Sequence, residues 1–194
     1  MTVMALSNET LDLLARLSAR CDPPPWTAIV EGRDQESGSS FIMVGEDQDR
    51  GEDIYVIRDS GPADASYLDL IAAARTYLPL LVEEVRTGEE QDPSEVDRVS
   101  TVLDDAEIVA IEARCEAAAP GPWKSFIEGR DHDSGDDFIR VGERSDQPDM
   151  YVHRSSHEGT RPASAPDLDF IAAARQDVPR LVAEVRRLKS QQTR

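Results

Sequence analysis

The sequence predicts an α+β fold made of two tandem repeats, each a helix, a three-stranded antiparallel sheet and a final helix, which form a pseudo-twofold pair. The first observation is that residues 31–46 (EGRDQESGSSFIMVGE) and 128–143 (EGRDHDSGDDFIRVGE) are identical at eleven of sixteen positions. The second is that residues 68–86 and 168–186 are identical at thirteen of nineteen positions. Two copies of one unit imply two similar folded modules. The predicted boundaries are residues 1–88 for the first repeat, 89–101 for a linker and 102–194 for the second repeat.

Each repeat is predicted to begin with a helix, at residues 8–20 and 105–117. Side chains that commonly cap helices stand at both starts: Ser7 or Asn8, and Asp104 or Asp105. A proline-rich turn then ends each helix, because proline cannot continue the helical hydrogen bonds.

Three short apolar runs follow in each repeat, and their alternation and β-branched residues favour strands. The runs are residues 26–30, 41–44 and 54–58, and residues 123–127, 138–141 and 150–154. The polar loop between the first two runs suits a hairpin, so a three-stranded meander is the simplest pairing.

The last part of each repeat is predicted to be helical, at residues 68–86 and 168–188. Pro79 and Pro179 interrupt these segments, so we expect either two short helices or one kinked helix in each repeat. Part of the connection after Pro93 is a further candidate for a helix.

The net charge of −18 argues against direct nucleic-acid binding, because phosphate contacts need lysine or arginine. Residues 1–97 carry 21 acidic and 7 basic side chains (−14), and residues 98–194 carry 18 and 14 (−4). No apolar run approaches the roughly 20 residues that span a membrane, and the first residues lack a secretory pattern. The sequence therefore predicts a cytoplasmic protein without membrane contact.

Cys21 and Cys115 are placed at matching positions of the two repeats, each at the end of an apolar helical stripe. This pattern favours buried free thiols rather than a disulfide. The two cysteines and three histidines do not form a credible zinc set, and the sequence predicts neither a metal site nor a cofactor.

Several polar side chains recur in both repeats and are the candidate ligand- or partner-binding residues. They are Glu31, Arg33, Asp34 and Arg58, with Glu128, Arg130, Asp131 and Arg154. Carboxylates and arginines can act as acids, bases and anion clamps. The alternative is that the Glu-Gly-Arg-Asp segments form ion pairs at strand ends, with Asp34 and Asp131 as partners of Arg58 and Arg154.

Trp26 and Trp123 follow the prolines at equivalent positions. They are interpreted either as anchors of the turn on the core or as stacking partners of a ring-shaped ligand. Phosphate-loop, dinucleotide-binding and nucleophile-elbow patterns are absent from the sequence. No catalytic residue is therefore assigned, and a binding role is favoured over an enzymatic one.

Strand alternation predicts that the first repeat exposes Phe41, Met43, Tyr55 and Ile57 on the sheet face opposite its core. Such a face is too apolar for open water. We expect it to be covered by the other repeat, by a loop or helix, or by a second chain in a homodimer.

The segments Ala118–Trp123 (AAPGPW) and Leu168–Ala174 (LDFIAAA) resemble the Ead-like accessory proteins of temperate phages, which combine a Pro-Gly-Pro-Trp-like turn with a downstream Phe-Ile-Ala helix. The first repeat departs from that pattern, with Asp22–Trp26 (DPPPW) at the turn and Leu70 in place of the phenylalanine. The resemblance implies a small cytoplasmic accessory protein of phage or mobile-element origin, and it supplies no catalytic residues.

The leading functional hypothesis is a non-enzymatic binding protein that acts on a host protein. One alternative is an acidic decoy that imitates nucleic acid with carboxylates such as Glu46, Asp47, Asp49, Glu52 and Asp53. Another is a small-molecule (nucleotide-like) binding sponge or hydrolase that uses the two tryptophans with Arg33 and Arg130.

Overall fold

A computed structural model describes residues 7–46, 51–90, 103–133, 135–143 and 148–192, which form four helices and eight strands in an α+β arrangement. The elements of the first half are α1 (Asn8–Ala19), β1 (Trp26–Ile29), β2 (Phe41–Val44), β3 (Asp53–Arg58), β4 (Gly61–Pro62) and α2 (Ala65–Glu90). Those of the second half are α3 (Asp105–Ala117), β5 (Trp123–Phe126), β6 (Phe138–Val141), β7 (Met150–Ser156), β8 (Gly159–Pro162) and α4 (Ala165–Gln192). The suggestion of a helix after Pro93 lies outside the described residues.

Side chains cap the starts of α1 and α3, as the sequence predicts. The Ser7 hydroxyl accepts a hydrogen bond from the Thr10 N–H at 3.3 Å. Asp104 accepts from the Glu107 N–H at 2.8 Å, and the Glu107 carboxylate accepts from the Asp104 N–H at 2.9 Å. Such reciprocal capping satisfies two N–H groups that have no partner inside the helix.

The two long helices are unbroken, so the expectation of two short helices in each half is wrong. Pro79 lies inside α2 and Pro179 inside α4. An internal proline costs a helix about 3 kcal/mol. Buried apolar residues on both sides of each proline outweigh that cost, since tertiary packing supplies most helical stability. In α2 they are Leu70, Ile71, Leu78, Leu81, Val82 and Val85.

All eight strands belong to one antiparallel sheet. Six of them follow the order β1-β2-β3-β7-β6-β5, and the short strands β4 and β8 pair with β3 and β7 beside this path. The meanders β1-β2-β3 and β5-β6-β7 are confirmed. They are joined by β3 and β7, which pair from Asp53 opposite Ser155 to Arg58 opposite Met150. Two strands were not predicted: β4 pairs with β3, and β8 with β7.

The two long helices pack on one face of this sheet: α2 contacts β1 and β2, and α4 contacts β5 and β6. Helices α1 and α3 each contact both long helices. Aromatic contacts cross between the halves where sheet and helices meet: the Trp26 ring meets Phe170 edge-on at 6.0 Å, and Tyr67 stacks on Trp123 at 5.4 Å. The two halves therefore share one hydrophobic core.

Candidate functional site

The repeated Glu-Gly-Arg-Asp segment forms a locked turn after β1. Gly32 has a φ of +78°, a backbone conformation that suits glycine. The Asp34 carboxylate accepts from the Val30 N–H and from Arg33 Nε, both at 2.9 Å. These hydrogen bonds lower the pKa of Asp34, and the one from the Val30 N–H has the largest effect. The Arg33 guanidinium also makes a two-pronged contact with Asp69 of α2, at 2.7 and 2.8 Å, so the turn is tied to the helix layer.

The second half repeats this lock and adds a hydroxyl. Arg130 donates to both oxygens of Asp169 at 2.7 Å and to Asp131 at 2.8 Å. The Ser125 hydroxyl donates to Asp169 at 2.6 Å. Hydrogen bonds from Arg130 and from the Ile127 N–H lower the pKa of Asp131, and the one from Arg130 has the larger effect. Burial alone would raise the pKa of Asp169, but its hydrogen bonds from Arg130 and Ser125 lower it overall.

The arginine and aspartate of each Glu-Gly-Arg-Asp segment thus hold the loop in place by binding other groups of the protein. Glu31 and Glu128 have exposed side chains. Their backbone N–H groups donate to Ser40 Oγ at 3.0 Å and to Asp137 Oδ1 at 2.6 Å. These contacts explain the repetition of the motif as a structural requirement.

Arg58 and Arg154 do not pair with Asp34 and Asp131, so that expectation is wrong. Both arginines lie on the core side of the sheet, where the turn aspartates cannot reach. Arg58 donates to the Tyr67 hydroxyl and, at 2.6 Å, to the Pro148 carbonyl of the other half.

Arg154 occupies the most buried charged position of the sheet, with 3% of its surface exposed. It donates to the Asp167 carboxylate at 2.6 and 3.3 Å, and to the Glu52 carbonyl of the first half at 3.3 Å. Asp22 lies 2.9 Å away, and the guanidinium lies over the Trp26 ring at 5.5 Å. The contacts of Arg154 with Asp22 and with the Glu52 carbonyl therefore link the two halves.

Trp26 and Trp123 occupy core positions, with 3% and 2% of their surface exposed. Neither indole N–H has a hydrogen-bond partner among the described residues. Their rings are already packed against Phe170 and Tyr67. The described arrangement leaves no ring face free for an incoming ligand, and it fits the interpretation of these residues as turn anchors.

The two thiols are free and buried, as predicted. The expectation that the two cysteines occupy matching positions is wrong. Cys115 lies eight residues before Trp123, and the residue eight positions before Trp26 is Ser18 of α1. Cys21 instead follows the end of α1. Burial raises the pKa of Cys21 to about 12 and that of Cys115 to about 11. Such thiols are poor nucleophiles at neutral pH because the thiolate is the reactive form.

The opposite face of the sheet is the surface that these contacts leave open, and we call it the open face. In the first half its side chains come from β1, β2 and β3: Thr27, Ile29, Phe41, Met43, Asp53, Tyr55 and Ile57. No described helix packs on it, so the expectation that the other repeat or a helix covers this face is not met within the described residues. The Phe41 and Tyr55 rings stack at 5.6 Å, and Ile57 has 43% of its surface exposed.

The second half of the open face combines aromatic rings with cations. Its side chains are Lys124, Phe126, Phe138, Arg140, Tyr151, His153 and Ser155. Phe126 and Phe138 stack in parallel at 5.0 Å. The Arg140 guanidinium lies 4.5 Å and the Lys124 ammonium 4.9 Å from the centre of the Phe126 ring. These cations cover an aromatic ring, whereas the described residues of the first half place no cation over Phe41 or Tyr55.

Arg140 is held from one side by Asp149, at 3.7 Å between Nε and Oδ1. That separation is an ion pair but is too long for a hydrogen bond. Burial raises the pKa of Asp149, and the nearby Arg140 partly opposes this effect. The cation is therefore fixed in place on the open face.

An open cleft of about 670 Å³ lies where β3 begins and β7 ends, lined by residues that include Glu52, Asp53, Tyr55 and Glu158. The described residues contain no cluster of three or more acidic, histidine or cysteine side chains arranged to hold a metal ion. Within the same residues, no helix is long and apolar enough to cross a membrane. The broad surface of the open face is therefore the better candidate for a binding site.

No protein family, curated protein or solved structure matches this chain.

Sequence analysis identified part of this surface. Alternation along β2 and β3 placed Phe41, Met43, Tyr55 and Ile57 together, and the structure puts all four on the open face. The sequence analysis did not assign Phe126 and Lys124 of the outer strand β5 to this face. The available signal was the same alternation, which continues from Trp123 on the core side to Lys124 on the other.

Proposed function

We propose that this protein is a non-enzymatic binding module and that the open face of its sheet is the surface that binds another protein. The observation that carries the proposal is the half-exposed aromatic strip of Phe41, Tyr55, Tyr151, Phe138 and Phe126, on the side of the sheet away from the helices. Contiguous apolar patches of this kind mark interaction sites in soluble proteins. Aromatic, methionine and arginine side chains are enriched at the centres of interfaces.

We also propose that the chain is a tandem duplication with pseudo-twofold symmetry, which is what makes so broad a face. In the β3–β7 pairing, Val56 stands directly opposite Val152, its own counterpart in the repeat. Arg58 donates across this seam to the Pro148 carbonyl, and Arg154 donates across it to the Glu52 carbonyl. Such reciprocal contacts are typical of a twofold relation.

The internal contacts of the repeated polar side chains support a binding function over a catalytic one. Arg33 and Arg130 each hold an aspartate of a long helix, and Arg154 is buried against Asp167. Catalytic acids, bases and anion clamps need access to a substrate. Arg154 lacks that access because it is buried. Arg33 and Arg130 keep side chains that are 46% exposed, but their guanidinium groups are engaged with Asp69 and Asp169.

The biological setting that we propose is that of a cytoplasmic phage or mobile-element accessory factor with a host protein as its partner. The resemblance of the Pro-Gly-Pro-Trp turn and the Phe-Ile-Ala helix is the support for this setting. The acidic-decoy alternative depends partly on Asp47 and Asp49, which lie outside the described residues. The small-molecule alternative depends on Trp26 and Trp123, whose rings are buried.

Affinity capture with matched variants tests the binding surface. The bait is wild type, Tyr55→Asp on the open face, or Val109→Asp on α3, where the native side chain is 56% exposed. We expect Tyr55→Asp to lose partners that wild type and Val109→Asp both retain, because a carboxylate in the aromatic strip would be desolvated on binding. Equal capture by the three proteins would refute the open face as the binding surface.

A further inference from the structure

Resting on the proposed function, we propose that one occupant of the open face is a second copy of this chain, with the first half of each copy on the second half of the other. The open faces of two sheets would then pack as the two layers of a sandwich, about 10 Å apart. This arrangement is isologous: the first half of copy one packs on the second half of copy two, and the first half of copy two packs in the same way on the second half of copy one.

Charge selects this arrangement over one in which like halves meet. The first half of the open face carries one carboxylate, Asp53, and no lysine or arginine among its seven side chains. The second half carries Lys124 and Arg140. Placing each first half on a second half keeps the two cation-bearing surfaces apart and sets Lys124 and Arg140 against a surface whose charged side chain among these seven is the Asp53 carboxylate.

The side chains on the two halves are complementary in a second respect. Phe41, Tyr55 and Ile57 form an apolar patch over which the described residues place no cation. On the other half, Lys124 and Arg140 lie over the Phe126 ring. A second copy would bury the apolar patch against the aliphatic and aromatic parts of this cation-covered surface.

The area of the open face suits a concentration-dependent dimer. Six paired strands at about 4.8 Å spacing span about 25 Å, and strands of four to six residues are about 13–20 Å long. Two such faces in contact bury on the order of 1,000 Å² in total, which lies at the lower limit for specific association. We therefore expect a dissociation constant on the order of micromolar.

Sedimentation equilibrium over a range of protein concentrations tests the proposal with a charge swap. Thr27 and Lys124 are exposed and occupy equivalent positions after the two tryptophans, on opposite sides of the centre of the open face. The proposed dimer has its twofold axis between the two sheets and at right angles to the line from Thr27 to Lys124, so Thr27 of one copy lies opposite Lys124 of the other. We expect Thr27→Lys and Lys124→Glu each to weaken the dimer about tenfold. The variant that carries both changes should regain wild-type affinity, because each new lysine then faces a new glutamate.

The outcomes separate this proposal from the proposed function. A wild-type protein that stays monomeric at near-millimolar concentration would overturn the second copy as occupant. A doubly changed variant that is weaker than either single variant would also overturn it, because like halves would then be in contact. In either case the loss of captured partners by Tyr55→Asp would still support the open face as a surface for other proteins. Urea midpoints equal to that of wild type control for the folding of each variant.

Discussion

The buried Arg154, which pairs with Asp167 of its own half and contacts Asp22 and the Glu52 carbonyl of the first half, allows the sharpest test of how the two halves are held together. Arg154→Met keeps an unbranched apolar side chain over the Trp26 ring while removing the guanidinium. It leaves the Asp167 carboxylate, whose side chain is 6% exposed, without its cation. Breaking a buried pair by removing one partner costs about 3–5 kcal/mol.

The expected loss lies near the lower end of that range. Asp167 keeps two hydrogen bonds after the change, from the Ser164 N–H at 3.1 Å and the Ser164 hydroxyl at 2.8 Å. The hydrogen bond to the Glu52 carbonyl is lost as well. We therefore expect Arg154→Met to lower the free energy of unfolding by about 3 kcal/mol, measured by urea denaturation at pH 7.

The chain offers a matched control in Arg58→Met. Arg58 occupies the corresponding position of the first half, but its partners are the neutral Tyr67 hydroxyl and Pro148 carbonyl. Its loss should cost about 1–1.5 kcal/mol, since no charge is left unpaired. Combining Arg154→Met with Asp167→Asn should restore about 2 kcal/mol, because the remaining buried groups are then neutral. Equal losses for Arg154→Met and Arg58→Met would refute the reasoning.

Two further predictions concern the turn lock and the thiols. Arg130→Gln should lower the urea midpoint slightly at pH 7. The difference from wild type should shrink as the pH falls below about 4, because the pKa values of Asp131 and Asp169 are lowered in the folded protein and their stabilisation is lost on protonation; a difference that grows in acid would contradict this. In the folded protein Cys21 and Cys115 should react with an aromatic disulfide reagent orders of magnitude more slowly than in guanidinium chloride, where two thiols should be titrated at once. Rapid labelling of either thiol without denaturant would contradict their burial.

Local patterns were sufficient to predict most elements of each half. The three apolar runs became strands within one or two residues of the predicted ends, and α3 has its predicted bounds. The predictions succeeded because alternation, capping residues and prolines act over short stretches of chain. The strand β4 was missed because Gly61–Pro62 carries a turn signal and no apolar alternation.

The partners of the repeated arginines could not be predicted, because they depend on how the long helices pack against the sheet. Arg33 finds Asp69 and Arg154 finds Asp167, each in a helix that follows the sheet in sequence. Sequence spacing pointed instead to Asp34 and Asp131, which the chain needs for its own turns. The cations of β5 and β6 over Phe126 likewise result from the pairing of neighbouring strands.

A single exposed cysteine tests most directly whether the open face is buried when the protein associates. Ile57→Cys places a thiol on a site that is 43% exposed, and Leu13→Cys on α1 provides a control at 46%. Labelling rates would be measured from micromolar to near-millimolar protein. We predict that Ile57→Cys is labelled progressively more slowly as the concentration rises, while Leu13→Cys keeps one rate throughout. A rate for Ile57→Cys that does not change with concentration would contradict the account.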